Sequence, residues 1–476
     1  MRCRALVWAM LMLAGCTVGP DYRRPSVSVP REFRGQPQEP VSTTSIADVA
    51  WWQLFQDETL LSLIRTALVA NYDVRIAATR ILDARAQVTI ARSFQFPDVS
   101  ASASAPYTRT FGNRASGPVE FNQPLTSAPL SFNETFTPLG TLDLAWEIDL
   151  WGRLRRATEA ARDDLLGSVD AQYFVITTLV SDVASAYFQL RGLDLELEIS
   201  RRTLASRQES LRLVTMRFEG GVAAQIDVRQ AEVLLYTAAE TIPDVERRIE
   251  QAENLISILL GRNPDAVPRG RTLAESLALT TPTVPPGLPS SLLERRPDIR
   301  QAESQLAAAT ARIGVAKADY FPRVTLTGAA GAGGVAISGN WFGPFGLVSI
   351  APQITLPIFN MGRIKAGVNS AEARAQQALL QYQQTIQQAF RDVADALVEH
   401  RKRRESREQQ VLLVQSLRDA AQLANIRYQG GVTSYLEVLD TERQLFDNEL
   451  TLAQAQRDEL LAIVRIYRAL GGGWTS

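Results

Sequence analysis

Alternation with a step of two marks four stretches of the chain as strands. Across Leu142–Leu150, Leu142, Leu144, Trp146, Ile148 and Leu150 fall on one face, and Asp143, Glu147 and Asp149 on the other. Such a strand has one oily and one wet side. Val99–Ala105 alternates serine with small apolar residues. Val324 and Leu326 oppose Thr325 and Thr327, and Val348, Ile350, Ile354, Leu356 and Ile358 oppose Ser349, Gln353 and Thr355. These stretches predict two hairpins, at about 97–149 and 322–358. Trp146, Trp151, Trp341 and Phe342 stand near strand ends, where aromatics suit a membrane–water boundary.

Each hairpin is followed by a run with a step of seven. Ile176, Val183, Leu190, Leu197, Leu204, Leu211 and Phe218 form one seam within a predicted helix over 153–217 that contains no proline. At 1.5 Å per residue that helix is about 98 Å long, and a sustained seven-residue seam means side-by-side coiled-coil packing. The second predicted helix, 363–427, keeps the seam at Ile386 and Val393, places His400 and Arg407 there, and recovers it at Val414, Ala421 and Tyr428. At mid-length it therefore faces water or another segment. The linker after Arg262, rich in Pro, Leu and Thr, is a candidate for that segment, as a belt.

The two halves resemble each other. Asp73-Val74-Arg75 recurs as Asp298-Ile299-Arg300, and Phe96-Pro97-Asp98-Val99 as Phe321-Pro322-Arg323-Val324; Phe218-Glu219-Gly220-Gly221-Val222 recurs as Tyr428-Gln429-Gly430-Gly431-Val432. An internal two-fold repeat follows, with divisions at 1–15, 16–57, 58–261, 262–297, 298–470 and 471–476. They read as signal peptide, N-terminal segment, first repeat, linker, second repeat and tail. Glycine permits sharp reversal of the chain, so Gly220, Gly221, Gly430 and Gly431 mark the free ends of the helical rods.

After residue 16 no stretch is apolar for the 18 or so residues a spanning helix needs. A mature chain that crosses a membrane must do so with strands. Four strands enclose nothing, and an open channel takes more than eight. Several copies must therefore share one barrel, although the pattern does not fix how many. A lipid-anchored coiled-coil scaffold without a pore is the alternative from another class.

Composition narrows the chemistry. Lys+Arg 50 against Asp+Glu 51 gives a net charge of −1, so no basic field recruits nucleic acid. The two cysteines, Cys3 and Cys16, both lie at the N-terminus, and His400 is the one histidine. Neither a catalytic centre, a metal site nor a cofactor motif is legible, and no enzyme is expected. The N-terminus itself reads as an export signal: Arg2 and Arg4, the apolar Ala5–Leu13, then Leu13-Ala14-Gly15-Cys16, which looks like a lipobox. Each buried CH₂ of an acyl chain contributes roughly 0.8 kcal/mol, so two or three chains on Cys16 anchor firmly. Thr17 follows, not the aspartate of an inner-membrane retention signal.

Several short motifs add a resemblance. Cys16-Thr17-Val18-Gly19-Pro20-Asp21-Tyr22, Trp51-Trp52 with Phe55, Leu292-Leu293-Glu294-Arg295-Arg296-Pro297-Asp298-Ile299, Ala318-Asp319-Tyr320-Phe321-Pro322 and the doubled Gly-Gly turns occur in an order that resembles the TolC-like outer-membrane factors. Within them it is similar to the lipoprotein branch of OprM- and NodT-type efflux proteins. The resemblance implies a mainly α chain with a small β part: a homotrimer with a twelve-stranded transmembrane barrel and an α-barrel tunnel in the periplasm. It implies docking of the tunnel's lower end, with the Gly-Gly tips as candidate contacts, to a periplasmic adaptor and an inner-membrane pump of the RND type. It further implies an efflux duct, or the outer component of a type I protein secretion system. The matching gate positions are Asp227, Tyr428, Glu437 and Asp440. Thr433 stands where TolC has an arginine, and Arg443 resembles the OprM-type arrangement. By spacing alone, Asp440 and Arg443 also suit an ordinary i,i+3 pair.

Overall fold

The structure, a computed structural model, describes residues 17–30, 32–34, 56–113, 130–279 and 287–472. Cys16, the aromatic cluster Trp51, Trp52 and Phe55, and the long loop of the first hairpin lie outside them. The chain is mainly helical: α1 (Glu58–Ala70), α2 (Tyr72–Ser93), α3 (Arg153–Glu219), α4 (Gln225–Leu259), α5 (Leu273–Leu279), α6 (Pro289–Arg295), α7 (Pro297–Ala318), α8 (Arg363–Gln429) and α9 (Tyr435–Ala469). Its strands are β1 (Asp98–Ser104), β2 (Tyr107–Asn113), β3 (Leu130–Phe136), β4 (Leu139–Ile148), β5 (Arg323–Ile337) and β6 (Asn340–Thr355). Contacts divide it into two units. The first gathers the N-terminal residues through Arg23 with Asp83–Leu165 and Gln305–Ala378; the second gathers Arg24–Leu82, Leu166–Ser304 and Leu379–Ser476. Among the described residues no helix is long and apolar enough to cross a membrane.

All six strands belong to the first unit and form one antiparallel sheet. The first hairpin was expected as two strands, yet each arm is broken once, between β1 and β2 and between β3 and β4. The breaks fall at Pro106 and Pro138, which have no N–H to give a ladder. The arms stay together because the Thr137 N–H donates to the Pro106 carbonyl at 3.0 Å. Leu150, Leu356 and Ile358 fall just beyond the strands they were assigned to.

Register turns single strands into a two-faced sheet. Val99 lies opposite Leu144, Leu144 opposite Gly328 and Gly328 opposite Ile350; the next rung on that face is Ala101, Leu142, Ala330 and Val348. The other face carries Ser100, Asp143, Ala329 and Ser349 on one rung, and Glu147, Thr325 and Gln353 on another. There the Ser102 hydroxyl donates to Asp143 at 2.7 Å, and Thr141 donates to the same carboxylate at 3.0 Å. Two of the acids predicted for this face serve the adjoining helix instead. Glu147 holds Arg153 with two bonds of 2.9 and 2.7 Å, and Asp149 caps α3 by accepting from the Arg155 N–H at 2.8 Å. The apolar rungs end bare: Val348, Ile350 and Ile354 are largely exposed. Among the described residues β1 pairs only with β4 and β6 only with β5, which leaves both edges open.

The second unit is built by long helices. α3 and α8 each have 67 residues, about 100 Å at the ordinary rise, and α4 and α9 each have 35. The predicted seam of α3 is buried at Val183 and Leu190, but Phe218 is exposed. A second stripe, three residues on, stays buried to the tip: Ala186, Leu193, Ser200, Arg207 and Val214. Ser200 and Arg207 hid it from a reading based on apolar residues. Both stripes together make the a/d pattern of a coiled coil.

His400 and Arg407 do not face water. His400 is buried, and Arg407 donates to Glu459 of α9, itself buried. Arg403 pairs with Asp458 at 3.1 Å, and Arg465 of α9 with Glu399. Among the described residues, the segment that pairs with the charged run is thus α9, which supplies matching acids. The start of the linker lies on the first half. Asp57 caps α1 through the N–H groups of Thr59 and Leu60 (2.9 and 3.2 Å) and also accepts from the Tyr187 hydroxyl and the Arg271 N–H, both at 3.0 Å. One buried carboxylate therefore ties α1, α3 and the linker together. Each buried donor left unpaired by its loss would cost about 1–3 kcal/mol. Arg296, from the Leu292-to-Ile299 motif, is a second clasp: it donates to Asp298 (3.0 and 2.7 Å), to Asp392 of α8 (3.3 Å) and to the Ala469 carbonyl that ends α9 (3.0 Å).

His400 gives the helical unit a pH dependence. Burial lowers its pKa below 6.5; Glu459 opposes that shift and Arg404 adds to it. The folded chain therefore resists a proton that the unfolded chain accepts, so stability falls as pH drops through 6.5 and levels off below the folded pKa. His400→Leu, which copies Leu190 at the matching seam position, removes this dependence. Thermal melting followed by circular dichroism from about pH 7 to 5 should show the variant gaining on wild type as pH falls; parallel curves would refute the assignment.

Candidate functional site

The tips where α3 turns into α4 and α8 into α9 are built alike. The Gly220 N–H donates to the Met216 carbonyl and the Val222 N–H to the Arg217 carbonyl, both at 2.9 Å; Gly430 and Val432 repeat this with Ile426 and Arg427 at 3.0 and 2.9 Å. This is a Schellman closure, which needs one residue in the left-handed region. Gly221 (φ +75°) and Gly431 (φ +74°) provide it. Gly220 and Gly430 do not: a Cβ on either would meet its neighbours at ordinary contact distances. Val222 and Val432 beside the turns, and Ile226 and Leu436 one turn on, are exposed.

The sequence-predicted residues scatter over this region with different partners. Asp227 caps α4, its carboxylate accepting from the Ala224 N–H at 3.2 Å. Glu437, in the first turn of α9, accepts from the Thr433 hydroxyl and pairs with Arg427 at 3.4 Å. Thr433 thus binds the acid directly. Asp440 and Arg443 meet only along their own helix, at 3.2 Å, with Gln444 donating to Asp440 at 2.6 Å. Cys16 lies outside the described residues.

Tyr428 is the centre of the tip. It is buried with Tyr435 edge-on at 5.2 Å, in a cluster with Val214, Ala231, Ala424 and Val438. Burial raises its pKa; Arg217 opposes this and Asp227 adds to it. Its hydroxyl is enclosed with no hydrogen-bond partner. What holds it was missed from sequence: the Arg217 guanidinium lies over its ring at 4.6 Å and donates to the Gln429 carbonyl at 3.3 Å. Arg207, buried on the same helix, stacks on Phe446 at 4.7 Å and donates to the Leu234 carbonyl at 2.6 Å. Heptad position would have found Arg207. No sequence signal separates Arg217 from its counterpart Arg427.

The arrangement joins two hairpins through ring stacking and a few charged contacts, with acids along the start of α9. It offers no nucleophile–base pair, and among the described residues no group of acids, histidines or cysteines is placed to hold a metal ion.

Residues 63–262 and 288–472 match the family model described as outer membrane efflux protein. The chain is similar to the solvent efflux pump outer membrane protein SrpC of Pseudomonas putida, 36% identical over 98% of each chain. It is also similar to the cation efflux system protein CusC of Escherichia coli O6:H1, 33% identical over 99% of each. Among solved structures it resembles the open state of the Neisseria gonorrhoeae MtrE outer membrane channel. That pair has a TM-score of 0.82 and 31% identity, covering 96% of this chain and 99% of the other.

The glycine pairs can be told apart experimentally. Gly221→Ala or Gly431→Ala places a side chain in the left-handed region and should cost about 1 kcal/mol of tip stability, read as faster amide exchange at Val222 or Val432. Gly220→Ala and Gly430→Ala should leave exchange unchanged.

Proposed function

The chain belongs to the outer membrane efflux protein family, and we propose that three copies of it close one barrel and one periplasmic tunnel through which an efflux pump discharges. It is the outer membrane channel component of that system. The observation that carries the proposed assembly is the sheet. Its four arms present apolar rungs on one side, hydrogen-bonded polar rungs on the other, and an open edge at each end. Unpaired edges are not tolerated in hydrocarbon, and copies of the same sheet supply matching edges. Three copies give twelve strands, an even number wide enough for a wet lumen.

Further parts of the reading are ours as well. The equal lengths of α3 and α8, and of α4 and α9, support an internal duplication, with the divisions given above as its boundaries. Lipidated Cys16 anchors the chain in the outer membrane. The exposed Val222, Ile226, Val432 and Leu436 beside the Gly-Gly tips support docking to a periplasmic adaptor, and through it to an inner-membrane pump of the RND type. Glu437 and Asp440, brought together in three copies, form an anionic ring that favours cations at the neck. Arg217 on Tyr428 keeps each chain's two hairpins closed.

The test joins conductance and export. Wild type complements the drug susceptibility of a strain lacking the gene, and Asp440→Ala with Arg443→Ala raises single-channel conductance in planar bilayers. Unchanged conductance would defeat the gate; susceptibility equal with and without the gene would defeat the efflux reading.

A further inference from the structure

The N-terminal residues after Cys16 are seated in a socket. The Val18 N–H donates to the Trp151 carbonyl at 3.0 Å. Thr17 lies against Gly152, where an added Cβ would come within 2.8 Å of its methyl. Gly19, at φ +108°, crosses α7 at Gly314 so closely that a Cβ on Gly19 would sit 2.4 Å from the Gly314 Cα. A Cβ on Gly314 would sit 2.7 Å from the Val18 carbonyl. Asp21 accepts from Arg156 at 2.5 Å, and the Arg156 side chain is 5% exposed and also donates to Glu159 at 2.8 Å. Backbone on backbone at two glycines, plus a buried arginine reaching an otherwise exposed aspartate, is more order than a flexible tether needs.

The socket's place is what gives it meaning. Trp151 and Gly152 stand between the end of β4 at Ile148 and the start of α3 at Arg153. The Trp151 indole stacks on Phe321 at 4.8 Å and donates to the Pro322 carbonyl at 2.8 Å, just ahead of β5. On the barrel reading given above, on which this inference rests, that is where the strands leave the inner face of the membrane. Thr17 is seated there, and the residue before it is one peptide away, about 3.8 Å between Cα atoms.

We propose that Thr17–Asp21 and their socket at Trp151, Gly152, Arg156 and Gly314 form an anchor-positioning site. It delivers the acyl chains of Cys16 into the inner leaflet beside the barrel's foot. Each chain is thereby held at the membrane with its strand ends at a fixed depth before the edges of neighbouring copies pair. A free tether would anchor the chain equally well but leave that depth unset.

Gly314 supplies a test in which two effects have opposite signs. By helix propensity Gly→Ala within α7 should be neutral or stabilising; by the socket it should eject Val18. Gly367→Ala in α8, where a Cβ meets nothing within 4 Å, is the matched control. With full-length lipidated protein, amide exchange at Val18 should quicken at least about tenfold in Gly314→Ala. The share of chain recovered from outer membranes as detergent-resistant oligomer should fall several-fold, and Gly367→Ala should match wild type in both. Asp21→Ala, which alters an exposed side chain, should quicken Val18 exchange without touching the core, so a misfolded Gly314 variant does not leave the question open. Acylated Gly314→Ala and Asp21→Ala chains with wild-type exchange and oligomer yield would overturn the proposal. An intact mass without acyl chains on Cys16 would instead sink the anchoring reading beneath it.

Discussion

A backbone N–H or C=O in hydrocarbon has no water to turn to, and leaving one unpaired costs several kcal/mol. The sheet is shaped by that constraint. β6, sixteen residues long, pairs on one side with β5 and on the other with nothing among the described residues, and β1 is likewise half-paired. In water such edges would be blunted by charge, and β6 carries none, although it holds Pro344 and Pro352. Here the outward rungs stay apolar to the last strand, through Val348, Ile350 and Ile354. On the proposed assembly, a sheet that is open at both ends and oily on one face is one part of a larger closed one.

The helical unit solves the opposite problem, since it carries many charges into contact. Glu196, with a side chain 3% exposed, faces Arg248 of α4 at 3.1 Å and Arg457 of α9 at 3.8 Å. Glu449 takes Arg202 of α3 and Arg418 of α8 at 3.0 and 2.6 Å. Buried pairs seldom add much net stability, because desolvation offsets their attraction. They do penalise any register that separates them. On coiled coils of about 100 Å, where one turn of slip costs few apolar contacts, these links hold α9 in step with α3 and α8.

Much of this was legible in the residues, and the remainder was hidden for identifiable reasons. Alternation revealed β1, β4 and parts of β5 and β6, because burial on one side writes a period of two, whereas β2 and β3 were covered only by the span of the first hairpin. It could not reveal the breaks at Pro106 and Pro138 as pauses within one arm, since their continuity rests on Thr137 bonding across to Pro106. The seam at Val183 and Leu190 was visible; its companion at Ser200 and Arg207 was not, because the partners that permit burial there are distant in sequence. Asp57 carried no signal in the sequence, although Tyr187 and Arg271 make it a junction. At the tips, the turns were readable from glycine, but which pairs form was not. Arg217 crosses to the other hairpin, whereas Arg427, in the same setting, stays with Glu437.

That last difference bears on how a duct made of rods can open. The two halves share helix lengths residue for residue, 67 with 67 and 35 with 35, so neither length nor turn geometry distinguishes them. Chemistry does. α3 carries Arg207 and Arg217, which reach Phe446 and Tyr428 on the second pair of helices. The corresponding positions on α8, Leu417 and Arg427, show no such contact to α3 or α4. One hairpin thus clasps the other, and the clasp is a guanidinium on aromatic rings, worth about 0.5–2 kcal/mol for each contact. On the proposed gate, such a bond is firm enough to bias a closed tip and weak enough for a docking partner to break. With the upper helices locked by Asp57 and Arg296, motion on the proposed gate is left to the few turns below Arg207.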